Sequence, residues 1–179
     1  MNKRLFYALD ISPADKQRIE AIRQPIIEHS RPVLADNFHI TLCFMGNISN
    51  IHARAFNNVV ENLYQTFSTL TDDENIVIAN SIGLFKKPQV LYLGFAQFPE
   101  VFRNIANNLS QAATDLDIYQ ENRPYFPHLT IARKAKFVPE YSPFSLTLDI
   151  SSLSLYESVS TKNGVKYTPL KTWRIKSSV

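Results

Sequence analysis

Two tetrapeptides decide how this chain is read: His39-Ile40-Thr41-Leu42 and His128-Leu129-Thr130-Ile131. On a strand, alternate residues share a face, so His39 and Thr41 point one way while Ile40 and Leu42 point into a core. His128, Thr130, Leu129 and Ile131 divide in the same manner. Two such tetrapeptides among four histidines would arise by chance about 0.4% of the time by template counting. They stand half of the 179-residue chain apart.

Working outward, each tetrapeptide is preceded by a strand and then a helix. Arg4–Leu9 reads as a strand, and Ser12-Pro13 with Asp15 gives a helix start, followed by Ile19, Ile22 and Ile26 at helical spacing. Phe38–Met45 is strand-like. A second helix runs from about Ser49 to Phe67 and is followed by a strand at Ile76–Ile82. The second half repeats the order: a strand at Val90–Phe95, a helix over Pro99–Leu116, a turn-like Arg123–Pro127 and a strand at His128–Ala132. Phe144, Leu146, Leu148 and Ile150 alternate with polar residues. Leu153–Tyr156 and Val165–Ile175 read as further strands, the latter broken by Pro169. Repetition of a β-α-β unit implies pseudo-two-fold symmetry, with a cleft on the axis. No linker separates the halves, so residues 1–179 are expected to form one domain.

Composition removes several function classes. Hydrophobic residues make up 45% and charged residues 20%, a normal globular balance. The four glycines are too far apart for G-x-G-x-x-G or G-x-x-x-x-G-K, which excludes Rossmann-type dinucleotide binding and P-loop hydrolysis. One cysteine leaves no disulfide framework and no Cys-based zinc motif. From Asn122 onward nine Lys/Arg stand against Glu140, Asp149 and Glu157, a net +6 that fits a polyanion such as RNA. The apolar run Leu5–Leu9 is too short for a signal-peptide core, and nothing approaches a membrane span. The chain is therefore expected to be cytoplasmic, and nothing in it requires more than a monomer.

The chemistry explains why histidines would come in a pair. Hydrolysis of a phosphodiester needs a proton taken from water and a proton given to the leaving oxygen. One imidazole near its usual pKa of about 6.5 can do each. Threonine hydroxyls can hold non-bridging phosphate oxygens. A cyclic phosphate already carries ring strain, so neither a metal nor a cofactor is demanded.

These residues carry a resemblance. The paired His-x-Thr-apolar signature resembles the two-histidine phosphoesterases, and its surroundings resemble their RNA 2′,3′-cyclic phosphodiesterase, or 2′-5′ RNA ligase-like, branch. Matching segments span the chain: Arg4–Leu9, Asn37–Gly46, Gly83-Leu84-Phe85, Val90–Gly94, Arg123–Arg133, Leu155–Ser158, Tyr167 and Trp173. Pro127-His128-Leu129-Thr130-Ile131-Ala132-Arg133 is the most specific piece. The resemblance implies a bilobal α+β fold, with two antiparallel sheets around a central cleft and helices outside. It implies metal-independent hydrolysis of RNA 2′,3′-cyclic phosphate ends to 2′-phosphates, with the reverse 2′-5′ ligation open to the same site. His39 would donate the proton to the leaving oxygen and His128 accept one from water. Thr41 and Thr130 would bind phosphate, with Arg133 near the phosphate and Phe44 near the nucleobase.

Phe44 and Arg133 each follow their histidine by five residues, and an odd offset puts them on the wrong face of a regular strand. They reach the cleft only if the strand ends there or carries a bulge. Met45 and Tyr92 depart mildly from the family pattern, at positions taken to lie away from the chemistry. His29 and His52 read as surface histidines, Cys43 as able to line the cleft, and one of Phe6 and Tyr7 as core-facing. Two other functions use the same residues. One is a non-catalytic binder of RNA ends or nucleotides. The other is a related enzyme acting on a different cyclic nucleotide, a cyclic ADP-ribose phosphate or 2′-5′ oligoadenylate.

Overall fold

In a computed structural model that describes residues 2–71, 74–118, 120, 123–162 and 164–175, the strand segments assemble into one antiparallel sheet. Lys176, counted among the nine cations, and Asn122, from which they were counted, lie outside the described residues. The strands are β1 (Lys3–Asp10), β2 (Arg31–Pro32), β3 (His39–Ile48), β4 (Ile76–Phe85), β5 (Val90–Gln97), β6 (Leu129–Arg133), β7 (Leu146–Asp149), β8 (Ser152–Thr161) and β9 (Gly164–Arg174). Their spatial order is β7-β4-β5-β6-β3-β1-β8-β9, with β2 added beside β6.

The order divides into two four-stranded halves. Between β6 and β3, where the halves meet, the only paired residues are Ile40 and Leu129, both fully buried. Each half has a histidine strand at this junction, β3 in one and β6 in the other. The expected duplication is present, with β1 corresponding to β5 and β3 to β6. The C-terminal strands are shared out: β7 pairs with β4, while β8 pairs with the free edge of β1.

Among the described residues three α-helices cover the sheet: α1 (Pro13–Arg23), α2 (Asn50–Phe67) and α3 (Glu100–Asp115). The Ser12 hydroxyl accepts from the Asp15 backbone N–H at 3.1 Å, with Pro13 at the first helical position. Ser49 caps α2 through the His52 N–H at 3.3 Å. Phe56, Val60 and Phe67 of α2 and Phe102, Ile105, Leu109 and Ala113 of α3 are buried, the stripes that the spacing predicts. α1 leaves its own half to pack against β7, where Arg18 donates to the Thr147 carbonyl at 2.8 Å. No helix among the described residues is long and apolar enough to cross a membrane.

Two features differ from the sequence expectation. Pro169 does not interrupt β9, because β9 is an edge strand and Pro169 sits at a register shift opposite Tyr156. Arg31–Pro32, which carries no periodicity, forms the two-residue strand β2. Ile40→Ala would open a cavity where the halves join. The expected loss is about 2–5 kcal/mol, read as a lowered Tm in thermal unfolding.

Candidate active site

Both histidine strands carry an extra residue at the same place. In β3, Thr41 pairs with Ala8 and Cys43 with the next residue, Tyr7, so Leu42 is bulged out of the ladder. In β6, Thr130 pairs with Tyr92 and Ala132 with Leu91, so Ile131 is bulged. An extra residue reverses the inside-outside alternation beyond it. Phe44 therefore lies opposite Phe6, and Arg133 opposite Val90, on the same face as the histidines. The bulge that an odd offset of five requires is present in both copies. Cys43 is among the residues that line the cleft, as expected, but it is largely buried opposite Tyr7, and burial pushes its thiol up to about 12. Phe6 takes the cleft face and Tyr7 the core, its hydroxyl donating to Asn57 at 2.7 Å.

The cleft between the halves has a volume of about 1490 Å³, and His39, Thr41, Phe44, His128, Thr130 and Arg133 all line it. His52 reaches the same cleft, whereas His29 is exposed in the turn beyond α1, its ring 6.1 Å from that of Phe137.

The two imidazoles are held alike. His39 Nδ1 lies 2.6 Å from the Asn37 carbonyl and His128 Nδ1 lies 2.9 Å from the Phe126 carbonyl, each two residues upstream. A carbonyl can only accept, so Nδ1 carries the proton and Nε2 is left with its lone pair. His39 Nε2 is 3.0 Å from Thr41 Oγ1, whose hydroxyl donates to it. Burial lowers the pKa of both imidazoles. For His39 the positive charges of His128, Arg133 and Lys16 add to burial against the Asn37 hydrogen bond, and the value falls to about 4. For His128 burial outweighs the Phe126 hydrogen bond, and Arg123 pushes the same way.

Aromatic walls surround each ring, and periodicity could not have found them. His39 packs 5.0 Å from Phe6 and edge-on, at 5.1 Å, to Tyr167. Phe6 in turn stacks on Tyr156, whose hydroxyl donates to Asp10 at 2.6 Å. His128 lies 4.9 Å from Phe85, 5.7 Å from Tyr92 and 6.2 Å from Phe126. The expectation that Tyr92 stands away from the chemistry is thus incorrect: its ring is part of the His128 wall and it pairs with Thr130. The signal of this wall in the sequence is three aromatics on separate segments: Phe85 at the end of β4, Tyr92 on β5, and Phe126 two residues before His128.

Comparison with known proteins places this geometry. No protein-family model matches the chain. A curated Escherichia coli relative named RNA 2′,3′-cyclic phosphodiesterase is 32% identical over 177 residues, 97% of each chain. The chain belongs to the RNA 2′,3′-cyclic phosphodiesterase family. A relative of the same name from Methanothermobacter thermautotrophicus is 24% identical over 98% of this chain and all of its own. Among solved structures, E. coli LigT complexed with 3′-AMP superposes with a TM-score of 0.81 at 28% identity, over 97% of this chain and 98% of that one. A phosphoesterase crystal structure gives 0.82 at 28% identity, over 99% and 100%. The fold of this cyclic phosphodiesterase family member is therefore the LigT-like one.

Gly83 pairs with Tyr92, and a Cβ there would lie 2.3 Å from Tyr92 Cζ. Phe85 stacks on the same ring at 4.3 Å, so the ring has little room to yield. Gly83→Ala is expected to move Tyr92 off His128. In NMR titrations the His128 ring signals should shift and its pKa rise toward its usual value as water returns, while His39 stays as it was.

Proposed function

We propose that this protein hydrolyses RNA 2′,3′-cyclic phosphate ends to 2′-phosphomonoesters with its two histidines as the acid-base pair. The observation that carries this reading is the matched tethering of the imidazoles. Each Nδ1–H is fixed to a backbone carbonyl two residues upstream, which keeps Nε2 for the substrate. The names of the relatives and the LigT-like fold support the same substrate.

His128 Nε2 takes a proton from water as the water oxygen attacks phosphorus in line with the 3′ oxygen. The P–O3′ bond breaks, and the His39 imidazolium gives its Nε2 proton to O3′, leaving the phosphate on O2′. Thr41 and Thr130 hydroxyls hold the non-bridging oxygens, Arg133 offsets their charge, and Phe44 packs against the base. Once Nε2 of His39 is protonated it no longer accepts from Thr41, whose hydroxyl is released to the phosphate. With a 5′-hydroxyl in place of water, the same steps join its oxygen to phosphorus as P–O3′ breaks and form a 2′-5′ linkage; run backwards, O3′ attacks phosphorus and expels the 5′-hydroxyl. A single two-lobed copy suffices, because both histidines come from one chain.

His39→Ala and His128→Ala are each expected to lower kcat on a 2′,3′-cyclic nucleotide by at least about 100-fold with little change in Tm, and EDTA to leave the rate unchanged. Full activity in either variant would sink the assignment.

The pH dependence follows from burial. Both imidazoles favour the neutral form, so the free enzyme holds the needed imidazolium only at lower pH. The bell for kcat/KM should peak below about pH 6.5, the usual imidazole value, as a property of the pair rather than of either residue. Bound anionic phosphate stabilises the imidazolium, so the bell for kcat should lie at higher pH. Identical profiles for the two parameters would contradict this.

A further inference from the structure

β2 contributes nothing to the core, since both of its residues are exposed. It is nevertheless held firmly. Val33, which follows it, donates its N–H to the Ile131 carbonyl at 3.1 Å. The buried Arg23 guanidinium donates to the same carbonyl at 3.0 Å and also to the Val33 carbonyl. The effect of this strand is to place Arg31 directly opposite Arg133.

Residues directly opposite on neighbouring strands share a face, so Arg31 stands on the cleft face beside Arg133, and both line the cleft. Like charges so placed are unfavourable on their own. Among the described residues neither arginine forms an ion pair with a carboxylate. The Arg31 guanidinium extends toward the β8–β9 turn, its Nη2 only 3.9 Å from where a Cβ at Gly164 would be. That turn is tied to the segment before His39 by Asn37 Nδ2 donating to the Val165 carbonyl at 2.9 Å.

We infer that Arg31 and Arg133 together form a two-phosphate reader. Arg133 faces the reacting cyclic phosphate. Arg31 binds a second phosphate, the phosphodiester that joins the terminal nucleotide to the rest of an RNA strand. The pair thereby distinguishes an RNA end from a free cyclic mononucleotide. This rests on the cyclic-phosphodiesterase reading above and adds to it a specificity determinant, because each of the two phosphates on the ligand offsets one of the two guanidinium charges.

The test compares three substrates on the intact protein: a nucleoside 2′,3′-cyclic phosphate, a dinucleotide ending in a 2′,3′-cyclic phosphate, and the same dinucleotide with an uncharged methylphosphonate linkage. In the wild type, kcat/KM should be highest for the charged dinucleotide. Arg31→Gln should lower the ratio of charged dinucleotide to mononucleotide about tenfold, mainly through KM. It should bring the charged and uncharged dinucleotides to near equality, and Arg31→Lys should restore part of the difference. Thermal unfolding of each variant checks that the fold is kept. An unchanged ratio in Arg31→Gln, or a wild type indifferent to the linkage charge, overturns the inference while leaving the cyclic-phosphodiesterase reading intact. A wild type that turns over none of the three overturns that reading and the inference with it.

Discussion

The site depends on one extra residue in each histidine strand. Leu42 and Ile131 interrupt their ladders three positions after the histidines, and the residues that follow, Phe44 and Arg133 among them, change face. A bulge leaves backbone groups without their ladder partners, and buried backbone groups must be satisfied elsewhere. Here each copy is supplied by the segment that leads into the other. The Ile131 carbonyl accepts from Val33 and Arg23, which precede His39. The Thr41 carbonyl accepts from the Tyr125 hydroxyl at 2.9 Å, and the Phe44 carbonyl from Gln120 at 3.2 Å, both from the stretch before His128. The two halves therefore stabilise each other's distortions, which explains how they are kept together when β3 and β6 share only the pair Ile40–Leu129.

The same arrangement sets the electrostatics. Folding brings two imidazoles and Arg133 into one cleft and partly desolvates the rings between aromatic walls. Cations crowded together in low dielectric oppose protonation of either ring. An anionic ligand would reverse that balance, and the proposed acid-base pair depends on that reversal. Arg23 belongs to this scheme, although it is buried behind the strands. Its guanidinium lies 4.8 Å from the Phe38 ring, next to His39, while donating to the bulge that aims Arg133.

Much of this is legible in the chain itself. The helices begin at Ser12 and Ser49 because those hydroxyls satisfy the first free N–H groups, a local interaction that sequence expresses directly. The histidine strands are visible because period-two alternation, with the same polar pair in both copies, marks a half-buried strand. Tyr92 is hidden for the opposite reason. Its contact with His128 runs across a strand pair and is enforced by Gly83 on the strand beyond, so no window of sequence contains it. β2 is equally hidden, because two exposed residues carry no periodicity and their role is defined only by the strand they meet.

The sequence by itself determined the three helices, the longer strands and the two His-x-Thr pairs, since each rests on interactions between residues near in the chain, and the duplication shows in the repeated order of those elements. Only the tertiary structure decided which face Phe44 and Arg133 occupy, where β7, β8 and β9 insert, and that Arg31 stands beside Arg133. Those outcomes depend on register, and register is set by pairing between strands far apart in the chain. A single unpaired residue reverses every side chain that follows it.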